Sequence, residues 1–466
     1  MSLCMDKIYK KTRFLQTVRE DNLVAIWHSL FGNPKTVSPE TMDFIEKFSI
    51  PKTLRSVVGD SINAETINVL NELVDCYFLT LEDFDDRTLL KDKIKQREEK
   101  IINGSLIDYL ELIMSETCNF ACDYCIHFKN LGGSDRMNSH QKFMRLKIAK
   151  QAIDWYLAIL RQNGKQKATI NFGGGEPLLV WDTILQVIKY CDETYGNEFE
   201  FSFSINTNAS LITQQIAMVL KKYRVNVASS LDGLREGNDK VRLTKSGGGT
   251  FSQVIRGFET LALVGHPIDG IAVTVTEKNF YDIDESIIDW AIDHDMTNVR
   301  IDIDVIGLVD IPIDLIVRKL IRIRRYAASR KIDVPGFWSR PAENLGLSTL
   351  NEPVAFCGGI RGNSVCVNPS GNIYACGYSA NKLGNISDGR LFYAPGSFYH
   401  SLIRQHLTGM TKMCQGCMIE GQCGGGCMIT HEFSLKAENA KIERMCDFYI
   451  RMTEEIIRDQ LRSAAV

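Results

Sequence analysis

The chain contains no run of about 18 uninterrupted apolar residues, and its first residues, Met1-Ser2-Leu3-Cys4-Met5-Asp6-Lys7, contain no apolar segment. A membrane-spanning helix and a secretory signal are therefore not expected, and the cytoplasm is the expected compartment. A charge excess is also lacking: 54 Lys and Arg stand against 57 Asp and Glu, for a net charge of -3 and a pI near 6.3. Without a broad basic surface, nucleic acid is not expected as a main partner. Low-complexity tracts are absent, and the glycine tract Ser246-Gly247-Gly248-Gly249-Thr250 lacks the Gly-Lys-Ser/Thr ending of a P-loop. What the chain does have is cysteine, 14 residues of it. In a short secreted protein that number would mean a disulfide framework. In a long chain without a signal it points to metal ligation, and oxygen sensitivity would follow.

The length suggests about three domains, and the pattern along the chain divides accordingly. Residues 1 to about 100 mix short helical patterns, Pro39 to Phe48 and Ala64 to Cys76, with short apolar strands, and end in the mixed-charge run Lys91 to Lys100, read as a solvated helix or linker. From about 105 to 330 strand and helix alternate six times. The strands are Tyr109 to Met114, Ala168 to Phe172, Glu200 to Ile205, Asn226 to Ser230, Gly270 to Thr276 and Asn298 to Val305. The amphipathic stretches are Gln141 to Leu160, Ile184 to Cys191, Thr213 to Lys222, Phe251 to Val264, Asp284 to His294 and Leu315 to Ser329. Six such units predict a parallel sheet covered by helices, with functional loops at the carboxyl ends of the strands. The basic run Arg318 to Arg325 reads as a solvated face. Residues 331 to 356, with Pro335, Gly336, Pro341 and Gly346, read as a linker, and residues 357 to 466 form a cysteine-rich third part.

Cys118, Cys122 and Cys125 follow the first strand at Cx3Cx2C spacing. Three thiolates are one too few for a closed zinc site, but a 4Fe-4S cluster held by three leaves one iron free to chelate a small molecule. The spacing, Tyr124 just before the last cysteine, and Gly173-Gly174-Gly175-Glu176-Pro177 after the second strand together resemble the radical S-adenosylmethionine (SAM) superfamily. The resemblance implies a partial (β/α)6 barrel whose open iron binds the amino and carboxylate groups of SAM and delivers one electron, releasing a 5′-deoxyadenosyl radical. It also implies SAM contacts at Tyr124, Gly174, Gly175, Glu176, Asn208, Ser230 and Arg242, and an electron donor such as flavodoxin or ferredoxin.

A second constellation begins with Cys357 and Gly371-x4-Cys376, continues as Cys414-x2-Cys417-x5-Cys423-x3-Cys427 and ends at Cys446. It resembles the seven-cysteine signature of the SPASM domain, the C-terminal extension of radical SAM enzymes that mature peptides and sulfatases. The resemblance implies two auxiliary 4Fe-4S clusters: one on Cys357, Cys366, Cys376 and Cys427, the other on Cys414, Cys417, Cys423 and Cys446. With the first site this makes three clusters on eleven cysteines and leaves Cys4, Cys76 and Cys191 as plain thiols. Cys366, in the strand-like Val365-Cys366-Val367, is equally readable as a core thiol, and a pair of structural zinc sites is the bland alternative.

The fold expected is thus α/β, a partial radical SAM barrel between a winged-helix-like N-terminal domain and a cysteine-rich C-terminal domain ending in a helix. The N-terminal part is similar in size and position to the module that captures leader peptides in peptide-modifying radical SAM enzymes, by adding the leader as a strand to a sheet edge; a structural cap on the barrel is the other reading. The function expected is a maturase that installs a thioether or carbon-carbon crosslink in a ribosomally made precursor peptide. One rival is an anaerobic sulfatase maturase forming formylglycine, in which an Asp follows the Gly-x4-Cys cysteine as a base; here Gly377 stands there. The other is a non-catalytic iron-sulfur carrier. No catalytic residue is assigned, Asp232 being only a candidate base.

Overall fold

A computed structural model describes residues 3–59, 63–126, 141–304, 310–347, 355–388, 391–407, 409–434 and 440–464. Its strands are β1 (Ile8–Lys11), β2 (Leu15–Glu20), β3 (Leu23–His28), β4 (Gly32–Val37), β5 (Lys52–Thr53), β6 (Leu79–Leu81), β7 (Tyr109–Ser115), β8 (Lys167–Gly174), β9 (Glu200–Asn206), β10 (Asn226–Ser230), β11 (Gly270–Val275), β12 (Asn298–Ile303), β13 (Ser364–Val367), β14 (Asn372–Tyr374) and β15 (Gly384–Asn385).

Strands β7 to β12 pair in chain order, all parallel. The helices Leu146–Gln162, Trp181–Tyr195, Gln214–Lys222, Phe251–Leu263 and Ser286–Asp293 lie between consecutive strands, and Ile313–Ser329 follows the last. Alternation along β7 sets its two faces. Leu110, Leu112 and Met114 join the main core with Ala152, Ile153 and Tyr156, whereas Ile113 belongs to a separate small cluster with Cys366 and Tyr374. The predicted helix from Gln141 begins only at Leu146. Its first residues instead run beside the end of β7, where Glu116 N donates to Lys142 O and Met144 N to Met114 O, both at 2.9 Å.

The sheet does not stop at the barrel. β13 adds to β7 in parallel, and β14 and β15 continue antiparallel beyond it, so the cysteine-rich part is built onto the same sheet. The stretch expected as a linker is packed as well. Val299 N and Ile301 N on β12 donate to Asp333 O and Pro335 O, Trp338 is buried, and a short helix, Arg340–Leu345, follows; residues 348–354 lie outside the described set.

The N-terminal part carries more strand than its sequence suggests. Sheet β2-β3-β4 and sheet β5-β1-β6 surround the helices Pro39–Glu46, Leu54–Val58 and Ala64–Asp75. Ser38 and Asn63 cap the first and third of these by accepting from Thr41 N and Thr66 N. β3 is buried on both faces. Val24 and Ile26 enter the domain's own core with Met42, Ile45 and Leu70, while Ala25 and Trp27 pack with Leu345 and with Ile457 and Leu461 of the C-terminal part. The charged run from Lys91 is no linker: it lies within the helix Asp86–Ile102, which buries Leu90, Ile94, Arg97 and Ile101 along one face. Among the described residues no helix is long and apolar enough to cross a membrane.

Candidate active site

The loops after β7, β8, β9 and β10 meet at one rim, and glycine makes the meeting possible. Gly175 N donates to Ser115 O at 2.7 Å and Glu176 N to Thr117 O at 2.9 Å, which seats the glycine loop on the start of the cysteine loop. Gly174 has φ +110, and a Cβ there would run into Ser115 O, as one at Gly175 would run into Thr117 O. The cysteine loop is laced on its other side to the segment before the glycine tract: Ala121 N donates to Leu243 O and Asp123 N to Val241 O, at 2.7 and 3.0 Å.

Within this frame Cys118 Sγ accepts from Phe120 N at 3.4 Å and from Asn208 Nδ2 at 3.6 Å. Asn208 therefore touches the cysteine loop directly, and its amide also donates to Asn119 Oδ1 at 2.9 Å. Cys118 and Cys122 both have raised pKa values, chiefly from burial, Cys122 reaching about 12. Arg242 opposes the shift at Cys122, and the charges of the neighbouring cysteines add to it. Thiols this buried ionise only when something takes the place of water, which suits metal ligation.

Three expected SAM contacts turn inward instead. Glu176 is 0% exposed and accepts from Leu178 N at 3.0 Å, Thr207 Oγ1 at 2.7 Å and Asn208 N at 2.8 Å. Its side chain fastens the loop after β9 and is sealed away from any ligand; burial raises its pKa against the pull of those bonds. The half-buried Tyr124 forms one network with the buried Arg242 and Asp232. Tyr124 Oη donates to Asp232 Oδ2 at 2.5 Å, Arg242 Nε donates to the same oxygen at 2.9 Å, and Arg242 Nη2 donates to Tyr124 Oη at 2.8 Å. Thr274 N donates to Asp232 Oδ1 at 2.8 Å. With its carboxylate saturated and 0% exposed, Asp232 is a fixed counter-charge and no base. Burial drives the Tyr124 hydroxyl well above its ordinary range. For Arg242 the charges of Asp232, Tyr124 and Cys122 outweigh burial and hold it cationic. Ser230 stands partly buried at the end of β10.

None of the fourteen cysteines is joined in a disulfide. In the C-terminal part they fall into sets that feel one another's charge. Burial is the main cause of every rise; beyond it, Cys414 feels Cys446 and Cys417, Cys423 feels all three of Cys414, Cys446 and Cys417, and Cys446, raised to about 11, feels Cys417. Cys376 feels Cys427 and Cys357, and Cys427, pushed up to about 12, feels Cys357. Cys366 stands apart. It lies opposite Glu111 in the β13–β7 register and donates its thiol to Glu111 Oε2 at 3.0 Å. Among the described residues no three His, Cys, Asp or Glu side chains close on a single metal-ion position. A cubane cluster holds its thiolates further apart than one ion does, so the cysteine sets fit a cluster in donor type and grouping.

Two residues of this region escaped the sequence reading. Tyr378 is 47% exposed, yet burial is the main cause raising its hydroxyl, with Glu111, Cys125 and Cys376 next. Glu111 is the other, and its signal was present: a carboxylate in an otherwise apolar strand.

Residues 112–289 match the model of the radical SAM superfamily. The chain carries a radical SAM domain over these residues and is an enzyme. It is 25% identical over 469 residues to the radical SAM cyclopropyl synthase TigE of Paramaledivibacter caminithermalis, across 96% of this chain and 95% of that protein. It is 25% identical over 339 residues to the mycofactocin maturase MftC of Mycobacterium tuberculosis, across 69% of this chain and 78% of that one. Among solved structures, anSMEcpe with bound AdoMet superposes with a TM-score of 0.60 at 19% identity, covering 77% of this chain and 99% of that one. Streptococcus suis SuiB bound to its precursor peptide SuiA gives 0.51 at 15%, covering 93% and 98%. At such identities these two likenesses speak for the fold.

Proposed function

We propose that the enzyme is a peptide maturase that closes a crosslink in a ribosomally made precursor peptide, working in the cytoplasm with an electron donor such as flavodoxin or ferredoxin. The observation that carries this reading is the end-to-end similarity to TigE, which runs through the N-terminal part and the C-terminal cysteines as well as the barrel. When bound, the cluster on Cys118, Cys122 and Cys125 supplies one electron to SAM and so a radical that abstracts hydrogen from the peptide. This chain's residues hold and shield that chemistry. Asn208 and Phe120 N orient Cys118, the Tyr124–Asp232–Arg242 network braces the loop from beneath, and Gly174 and Gly175 let backbone groups approach SAM. Ser230 lies on the same rim.

In this reading the second auxiliary cluster sits on Cys414, Cys417, Cys423 and Cys446. The first rests on Cys357, Cys376 and Cys427, with Cys366 as fourth ligand only if its bond to Glu111 is given up. A leader would add as a strand to an edge of sheet β2-β3-β4. Of the two products expected, a carbon-carbon bond is favoured: a cyclopropyl ring, named in the relative, is closed by such a bond. Gly377 counts against the sulfatase-maturase alternative. The test is anaerobic co-expression with each short peptide that proves to be encoded beside this gene, followed by mass spectrometry with and without thiol alkylation. A loss of two hydrogens per bond is expected, with alkylation unaffected if the bond is carbon-carbon. An unchanged mass would mean epimerisation and would overturn the crosslink.

A further inference from the structure

We infer that Arg300, on the last barrel strand, is a specificity-determining residue that binds a carboxylate of the peptide substrate. The inference rests on the maturase reading and deepens it by naming a charge the peptide must carry. Val299, Ile301 and Ile303 join the main core with Ile287 and Ile288 of the preceding helix, so alternation turns Arg300 and Asp302 to the opposite face of the sheet. Register carries that face across to the rim described above: Arg300 pairs with Ala272 on β11, and Ala272 with Ser230 at the end of β10. Two strand spacings, about 10 Å, separate Arg300 from Ser230. Only the methyl group of Ala272 stands between them on this row, and Ala228, on the same face of β10, is exposed.

The guanidinium is fixed in place while its fork stays free. Arg300 Nε donates to Asp302 Oδ2 at 2.6 Å, and Phe337 N donates to the other oxygen of Asp302. The guanidinium carbon lies 4.5 Å from the centre of the Phe337 ring. Nη1 and Nη2 have no hydrogen-bond partner among the described residues, and the side chain is 36% exposed. Those two nitrogens are the pair with which an arginine grips both oxygens of a carboxylate. Asp302 does not cancel the positive charge there, because Arg340 brings a second guanidinium to the same ring, at 4.8 Å, with its Nη1 donating to Phe356 O at 2.8 Å. Glu343, on the same short helix as Arg340, is engaged by Ser339 Oγ at 2.5 Å instead. The Phe337 ring leads on to Phe356 at 5.7 Å and from there to Tyr449 at 5.3 Å, whose ring abuts Gly426 beside Cys427. A carboxylate seated on Arg300 therefore holds the peptide between the rim of the barrel and the cysteine-rich part.

The test takes the peptide that co-expression shows to be modified, changes each Asp and Glu of its core singly to Asn or Gln and, separately, amidates its C-terminus. KM and kcat for each peptide, and the affinity for SAM, are measured on the wild type, Arg300→Gln and Arg300→Lys. Iron content and thermal melting establish that each variant is folded and loaded. Loss of a charge-assisted, two-pronged contact predicts that Arg300→Gln raises KM for the unaltered peptide about tenfold to a hundredfold with kcat little changed. Arg300→Lys keeps the charge without the fork and should raise it about threefold to tenfold. One peptide change should raise KM as much on the wild type and leave it unmoved on Arg300→Gln. Whether that change is a side chain or the amidated end identifies the source of the carboxylate. If no peptide change loses its effect in the variant, the inference fails even though the peptide is modified. A fall in SAM affinity with KM for the peptide unchanged would give the fork to the methionyl carboxylate of SAM, and overturns it as well. A wild-type enzyme that modifies no peptide removes the maturase reading, and this inference with it.

Discussion

The two cysteine regions are built on opposite plans. Cys118, Cys122 and Cys125 lie within eight consecutive residues, held by backbone bonds to loops of the same barrel. The set Cys414, Cys417, Cys423 and Cys446 depends on the far end of the chain. Trp27 Nε1 donates to Met418 O at 2.8 Å, Gly421 N donates to Ser29 O at 2.7 Å, and Arg87 clasps Glu420 through two bonds of 2.9 and 3.0 Å. Glu420 is fully buried, and a Cβ on Gly421 would run into Leu30 O. The loop between Cys417 and Cys423 is therefore moulded by the turn after β3. A local site can lose its cluster without losing its shape, whereas a site assembled from remote segments ties cluster, domain docking and stability together.

Replacing Cys118, Cys122 and Cys125 together by Ala probes the local site and has the largest effect. Reductive SAM cleavage, followed as 5′-deoxyadenosine, should fall by at least about a thousandfold, with about four of about twelve irons lost. A larger iron loss would break the comparison by linking the two regions. On the remote site, Arg87→Ala leaves a buried carboxylate without its counter-charge and should cost about 3 kcal/mol in denaturant melts, with iron missing from the Cys414 set. Gly421→Ala forces the turn after β3 to shift and should cost about 2 kcal/mol with the same iron signature. If both variants keep full iron, the N-terminal part is only a neighbour of that site.

The smallest effect is one of pH. His406, buried with its Nδ1 unpartnered, titrates at about 4 instead of 6.5, chiefly through burial and secondarily through His431. The unfolded chain takes up a proton that the fold refuses. This stability is complete above pH 6.5 and drains as pH falls toward the folded value, by about 1 kcal/mol at about pH 5.5. His406→Gln should flatten that slope, and an unchanged slope would assign it to other groups.

Much of the barrel was legible because both of its signals are local. Strand Asn226–Ser230 coincides with its expected span, and Thr213 caps its helix where the pattern placed the start. The cysteine spacing, on which the proposed cluster sets rest, is likewise a local signal. The segment from Gln141 misled because its apolar residues serve a bridge to Ser115 as well as a helix. The run from Lys91 is the helix that was one of its two readings, but its charge masked the buried face of Leu90, Ile94, Arg97 and Ile101 at helical spacing. The side chains of Glu176 and Arg242 turn toward Thr207, Asn208 and Asp232, a direction set by hydrogen bonds that no spacing encodes. The clasp of Arg87 on Glu420 spans most of the chain and leaves no periodic trace.

The burial of β3 on both faces also dictates an order of events during synthesis. Val24 and Ile26 find Leu70 within the first eighty residues, so that face can close as soon as the segment leaves the ribosome. Trp27 must wait until Ile457 and Leu461 have been made, long after β3 itself. Throughout elongation the nascent N-terminal part presents an unmatched tryptophan-bearing surface, a natural hold for a chaperone and a point where two half-made chains can exchange partners.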